Sequence, residues 1–338
     1  MNQHDIIQAF NKLGAFMKSL TDKEVSNAEL DVIHEVIQRE KHYNGWFTPA
    51  SIYSAVDSLA EMLDVASLEE WTKAYTFTAT PKRVGIIMAG NIPMVGFHDF
   101  LCVVIAGHHA VIKMSSDDNR LLPIFLKKLV EIDQRMAEKF SIVDRLSSSE
   151  AVIATGSNNS AMYFEKYFGN QPNIIRKNRT SVAVIDGTET EEELVLLGKD
   201  IFSYFGLGCR NVSQLFMPIE FDYNRFFAGI MGYSEIANHN KYANNYDYYK
   251  AIYLMNQEKL LENGFLLTKE SDELFSPIAV LYYKRYSDKQ EVSDFLKNNE
   301  DKVQAVIGHG FIPFGQAQHP GLSDYADGVD TMDFLQNV

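Results

Sequence analysis

Cysteine is scarce in this sequence: among 338 residues there are two, Cys102 and Cys209. Their spacing offers neither a disulfide framework nor a zinc signature, so no metal is expected and a reducing, cytoplasmic setting is. Basic charge is also in deficit. Against 45 acidic residues stand 31 Lys and Arg, giving a net charge of −14 and a pI near 5.1. That balance argues against nucleic acid or an anionic membrane as a main partner, and an anionic ligand would need a local pocket of donors. No apolar run reaches the ~18 residues of a membrane span, and Met1 to Leu20 has no continuous apolar core of leader length, so a soluble intracellular protein is expected. Internal repeats and low-complexity linkers are lacking too. What remains is a chain of 46% hydrophobic residues, long enough for two domains or lobes.

Residues 1 to 80 read as helices, with Ile6, Phe10, Leu13 and Phe16 on one face and Leu30, Ile33, Val36 and Ile37 on another. Trp46 and Trp71 fit packing anchors. From Pro81 the pattern changes. Arg83 to Ala89 is a near-continuous apolar run, as a strand buried on both faces requires. Gly90-Asn91-Ile92-Pro93 then turns into an apolar helix, Pro93 to Ala106, ended by Gly107. A second strand, Ala110 to Met114, a polar turn, Ser115 to Asn119, and an amphipathic helix from about Arg120 to Phe140 follow. A third repetition runs from the strand Ala151 to Ala154 through Thr155-Gly156-Ser157 into a helix reaching Tyr167. Such alternation predicts a parallel sheet with helices on its faces, whose ligands bind at the carboxyl ends of the strands, where Asn91 and Lys113 fall. Gly85 and Gly90 do not have the spacing of the glycine-rich dinucleotide fingerprint. The Thr-Gly-Ser turn suits an anion or a polar ring, or is an ordinary N-cap.

A basic cluster, Arg176 to Arg179, reads as a ligand contact or a solvated turn ahead of the strand Ser181 to Ile185. Thr188 and Thr190, each followed three residues later by glutamate, open a helix with two overlapping capping boxes. That helix leads into Gly206-Leu207-Gly208-Cys209-Arg210-Asn211, and the strand Val212 to Met217 leads out. Glycines 206 and 208 permit backbone conformations and a close approach that side chains forbid, so a carbonyl could come near the sulfur. A small buried hydrophobe is the plainer reading of Cys209. Farther on, Tyr242, Tyr246, Tyr249 and Tyr253 share a helical face suited to a core or a subunit interface. Pro277 to Tyr283 is another strand, followed by a helix around Glu291 to Asn298. Histidines 98, 108, 109, 309 and 319 read as surface or helix-end residues rather than proton relays.

Five short motifs in order, Gly90-Asn91-Ile92-Pro93, Gly107-His108-His109-Ala110-Val111-Ile112-Lys113, Thr155-Gly156-Ser157, Phe205-Gly206-Leu207-Gly208-Cys209 and Ser276-Pro277-Ile278-Ala279-Val280, make the chain resemble the aldehyde dehydrogenase superfamily. The resemblance is closest to the acyl-CoA reductase branch, which contains the fatty acyl reductase of bacterial bioluminescence. It implies an α/β fold with a helical N-terminal region over residues 1–80, a Rossmann-like nicotinamide domain over 81–185, a catalytic domain over 186–310 and a tail over 311–338. It also implies Cys209 as nucleophile, with Asn91 and the Cys209 backbone N–H as oxyanion hole. Lys113 resembles the lysine on the adenosine ribose; Ser115, Ser116, Thr155, Gly156 and Ser157 are the other expected cofactor contacts.

Two departures from the superfamily pattern sharpen the expectation. Hydrolytic members carry a glutamate roughly thirty residues before the cysteine to activate water, where this chain has Ile174-Ile175-Arg176-Lys177 and no carboxylate. After Lys113, Ser116 stands where NAD-preferring members carry a glutamate that would repel a 2′-phosphate, which favours NADPH. The expected reaction is NADPH-dependent reduction of an acyl-CoA, or another acyl thioester, to an aldehyde through a thioester on Cys209. A cysteine acyltransferase with no redox step and a non-catalytic partner subunit of a fatty acyl reductase complex are the alternatives. Donor type, an acyl-activating partner protein and a homo-oligomer stay open.

Overall fold

Five short strands line up in parallel within the first 176 residues, and six more build a second sheet after them. The computed structural model describes residues 1–338 and divides into two units: Met1–Asn178 with Pro320–Val338, and Arg179–His319.

The first unit opens with four helices, α1 (Gln3–Thr21), α2 (Ala28–Glu40), α3 (Pro49–Met62) and α4 (Val65–Thr72). Each begins at a side chain that accepts a hydrogen bond from the first turn: Asn2, Asn27, Thr48 and Asp64. On α1 the buried face is Ile6, Phe10, Leu13 and Met17, Met17 taking the inward place expected of Phe16. These helices belong with the sheet that follows rather than forming a body of their own. That sheet consists of β1 (Arg83–Ile87), β2 (His109–Lys113), β3 (Phe140–Ile142), β4 (Ala151–Thr155) and β5 (Asn173–Arg176), joined by α5 (Phe97–Ile105), α6 (Leu121–Ile132) and α7 (Asn158–Phe168). Its order is β3-β2-β1-β4-β5, every pairing parallel. From β1 the chain runs outward one way to β2 and β3, then returns to β4 and runs the other way. The β1–β4 seam is therefore a topological switch point, with a crevice at the carboxyl ends of those strands.

Two helix boundaries of this unit differ from the sequence expectation. Helix α5 starts at Phe97 instead of Pro93, because Met94 sits at φ 55° and interrupts the helical path. Helix α6 stops at Ile132, since Asp133 is extended; a 3-10 turn, Gln134–Glu138, then leads into β3. The last residues return to this unit through α12 (Thr331–Gln336), numbered after the helices of the second unit given below. They are stitched down by Trp71 Nε1 donating to the Tyr325 hydroxyl at 2.9 Å and Tyr75 donating to Asp330 at 2.7 Å. His108 contributes as well, and it is buried rather than at the surface. Lys82 N–H donates to its Nδ1 at 3.1 Å and its Nε2 faces the Leu335 carbonyl at 2.9 Å. Those partners require the neutral Nε2–H tautomer, a structural rather than a proton-relay role.

The second unit carries β6 (Thr180–Val184), β7 (Val212–Pro218), β8 (Leu261–Glu262), β9 (Leu267–Glu270), β10 (Val280–Tyr286) and β11 (Val303–Gly308), with helices α8 (Glu191–Phe202), α9 (Tyr223–Ile230), α10 (Asn240–Met255) and α11 (Lys289–Asn298). The order is β11-β6-β7-β10-β9-β8, parallel except for β8 on β9. The first strand of this sheet lies before residue 185, so the boundary between units falls at 178/179, ahead of the expected 185/186. The tyrosine face of α10 is core: Tyr242, Tyr246 and Tyr253 are buried, and Tyr242 donates to the Phe265 carbonyl at 3.0 Å.

Candidate active site

Helix α8 is anchored at its start by the Thr190–Glu193 capping box and ends at Phe202. Three successive residues then adopt left-handed backbone: Tyr204 at φ 50°, Phe205 at φ 59° and Gly206 at φ 80°. Glycine takes this conformation freely, whereas for Tyr204 and Phe205 it is strained by roughly 1–3 kcal/mol each. The chain next reverses through the four residues Gly208 to Asn211, closed by Asn211 N–H donating to the Gly208 carbonyl at 3.0 Å. Cys209 is the second residue of this turn and half-buried.

Asn211 braces the turn from beneath, 2% exposed. Its side-chain oxygen accepts from Gly208 N–H at 2.8 Å, and its amide nitrogen faces the carbonyls of Asp200, Ile201 and Ser203 at 3.1, 3.4 and 2.8 Å. From β6, the buried Ser181 hydroxyl donates to the Cys209 carbonyl at 3.0 Å. Sequence reasoning treated Asn211 as one more loop residue and passed over Ser181; an asparagine two places after the cysteine was the available signal, since a short amide can satisfy several backbone groups at once. The other thiol is chemically quiet. Cys102 lies inside α5, fully buried, and burial pushes its pKa well above the ordinary value.

In the first unit, the expected cofactor residues fall at the carboxyl ends of β1, β2 and β4. Asn91 is exposed on the turn after β1. Lys113 ends β2, half-buried, its Nζ 3.4 Å from the neighbouring Met114 carbonyl. Ser115 accepts from Asp117 N–H at 3.2 Å, and Ser116 is exposed. A Cβ on Gly90 would lie 2.6 Å from Ser115 Oγ, so glycine there lets the loops after β1 and β2 close on each other. Thr155 ends β4, Gly156 follows, and Ser157 caps α7 by accepting from Ser160 N–H at 3.2 Å. A lysine ammonium, several hydroxyls and a helix N-terminus around a switch point form a donor set that fits an anionic dinucleotide. Sequence reasoning missed Asp118. Buried on the same loop, it accepts from Met94 N–H at 2.6 Å with one carboxylate oxygen and has no partner for the other. Burial raises its pKa to about 6.

The basic cluster is no ligand pocket. Arg176 ends β5, 4% exposed, donating to Asp99 at 2.5 Å and to Thr331 at 2.9 Å. Its charge is tolerated there because Asp99 compensates it. Lys177 pairs with Glu165 at 3.0 Å, and Arg179 donates to the Glu300 carbonyl at 3.0 Å. A second polar group in the other unit, Asp186, Glu189 and His309, brings its ligand atoms within 4.8 Å of one another. Asp186 accepts from Thr188, Glu189 from the N–H groups of residues 186 and 187, and His309 meets Glu193 at 2.9 Å. Those bonds make it a brace at the entrance to α8.

The profile of the family described as Acyl-CoA reductase (LuxC) matches residues 1–222. None of the curated proteins matches the sequence. Among solved structures, aldehyde dehydrogenase 21 from Physcomitrella patens, in complex with the reaction product succinate, superposes with a TM-score of 0.64 at 13% identity, over 91% of this chain and 74% of that one. An aldehyde dehydrogenase of Mycobacterium tuberculosis complexed with NAD+ gives 0.63 at 11%, over 91% and 73%. An E. coli NADP dependent enzyme gives 0.64 at 12%, also over 91% and 73%. The fold is thus that of the aldehyde dehydrogenases. No helix is long and apolar enough to cross a membrane.

Proposed function

The chain belongs to the acyl-CoA reductase (LuxC) family, an oxidoreductase family acting on acyl or aldehyde groups, and from that premise we propose that it reduces an acyl thioester to an aldehyde, with NADPH as reductant and Cys209 as nucleophile. The observation that carries the reading is the contrast between its two thiols: Cys209 half-buried on a braced turn, Cys102 sealed in a helix. Cys209 sulfur attacks the thioester carbon; the new S–C bond forms as the bond to coenzyme A breaks, and coenzyme A leaves as the free thiol, taking the proton Cys209 gave up. The Asn91 amide and the Cys209 N–H serve the oxygen while it carries negative charge, the step at which fixed donors matter most.

Lys113, Ser115, Ser116 and the Thr155-Gly156-Ser157 turn would hold the dinucleotide, Lys113 and the start of α7 facing its phosphates and ribose. Bound there, a reduced nicotinamide would supply the hydride needed, with one proton, to free the acyl group from Cys209 as aldehyde and leave the thiol. The preference for NADPH rests on Ser116, which puts no charge against a 2′-phosphate. The test is incubation with a panel of acyl-CoAs and NADPH, following loss of the reduced cofactor and formation of aldehyde. Turnover supports the proposal. Acyl transfer from Cys209 without cofactor oxidation would make the chain an acyltransferase, and no adduct with any donor would leave it a partner subunit.

A further inference from the structure

We propose that Asn211 and Ser181 are positioning residues for the Cys209 thiol, a role that rests on the reading of Cys209 as nucleophile. The turn that carries the sulfur is closed on itself by the Asn211 N–H to Gly208 carbonyl bond. It lies between the end of α8 and the start of β7, after two side-chain-bearing residues in left-handed conformation. Such a segment keeps one shape only when its surroundings over-determine it. Asn211 does this through both ends of its amide. The oxygen holds Gly208 N–H, and the nitrogen faces three carbonyls at the end of α8, tying the residue before the cysteine to the helix that leads in.

The backbone of Asn211 continues the brace in the other direction. Its carbonyl accepts from Ser181 N–H at 3.2 Å, while the Ser181 hydroxyl holds the Cys209 carbonyl. Both residues are buried, so water cannot replace the bonds they make. Gly208, Cys209 and the end of α8 are consequently locked to β6 as a block, fixing where the sulfur and the Cys209 N–H point. Neither Asn211 nor Ser181 supplies a group to the reaction; both act through Cys209.

The experiment compares Asn211→Ala, Ser181→Ala and Cys209→Ala with wild type in four readings: turnover, KM for NADPH, the rate at which acyl-CoA labels Cys209, and alkylation of each cysteine by iodoacetamide in the folded protein. A shift of about 1 Å in a reacting group can lower rates by up to ~10²-fold. Asn211→Ala should therefore lose roughly tenfold or more in kcat and in acyl labelling, with KM for NADPH unchanged. Alkylation of Cys209 should persist within a few fold and Cys102 should stay protected, showing that the thiol and the fold are intact. Ser181→Ala removes a single bond and should show the same split, more weakly; it decides the matter if Asn211→Ala does not fold. Wild-type kcat and labelling in Ser181→Ala, or in a folded Asn211→Ala, overturns the positioning role. An active Cys209→Ala protein instead overturns the reading of the nucleophile, so the two failures are distinguishable.

Discussion

Two thiols of identical chemistry are separated here by their surroundings alone. Cys102, inside α5, is held protonated by burial, whereas Cys209 stands on a turn whose peptide groups are already fixed. If, as proposed, the sulfur supplies chemistry and no binding, replacing Cys209 by alanine should abolish turnover and leave NADPH affinity within a few fold. Mass spectrometry after mixing with acyl-CoA should find the adduct on Cys209 and none on Cys102; an adduct on Cys102 would reverse the assignment. Cofactor choice is a second matter of single residues. Ser116→Glu should weaken NADPH more than NADH by repulsion of the 2′-phosphate, and Lys113→Ala should weaken NADPH by about 1–3 kcal/mol, the range of a charge-assisted hydrogen bond. Direct titration of both dinucleotides checks this, and a wild type that prefers NADH would contradict it.

The loops after β1 and β2 clasp each other through Asp118, whose carboxylate holds Met94 N–H while one oxygen stays unpartnered. Burial raises its pKa from 3.8 to about 6. Between those values the folded chain keeps a proton that the unfolded chain releases, so this group makes stability fall as pH rises from about 4 to about 6, by about 3 kcal/mol at most. Asp118→Asn keeps an acceptor for Met94 and cannot ionise; denaturant unfolding across pH 4 to 7 should show a flatter profile than wild type, and parallel profiles would mean that Asp118 is not the titrating group. This clasp also marks where sequence stops being legible. The alternation of apolar strand, turn and helix was enough to locate β1, β2, β4 and β7, because each is a run buried on both faces. Strand β5 was hidden, since it ends in an arginine that only a distant partner, Asp99, makes tolerable at 4% exposure. Strand β3 was hidden by its shortness behind a helix of continuous amphipathic pattern. Glycine flanks and chain order pointed to the Cys209 loop; the Asn211 and Ser181 bonds that hold it depend on tertiary neighbours that no local pattern encodes.

Across the whole molecule, the family match to residues 1–222 takes in Asn91, Lys113 and Cys209 together, so the activity is best tested on the intact chain. On the proposed reading, the chain has no carboxylate at the place where the superfamily pattern puts a base for water. Ile174, Ile175 and Arg176 form β5; Arg176 turns inward to Asp99, and the adjacent Lys177 pairs with Glu165. The nearby carboxylates are thus engaged by cations, and Arg176 is not free to bind a phosphate of coenzyme A, contrary to what its place in a basic cluster had suggested. On the proposed reading, selectivity for a thiol acceptor would then rest on the missing base alone. General-base assistance is worth about 10²- to 10⁴-fold in rate, and on that reading a thioester on Cys209 without it would pass its acyl group to a thiol far faster than to water. In the reverse direction, aldehyde and NADP+ should turn over rapidly only with coenzyme A or a similar thiol present, giving an acyl thioester. Product analysis with and without coenzyme A decides the point: free fatty acid formed at equal rates in both would place a water-activating group elsewhere in the chain.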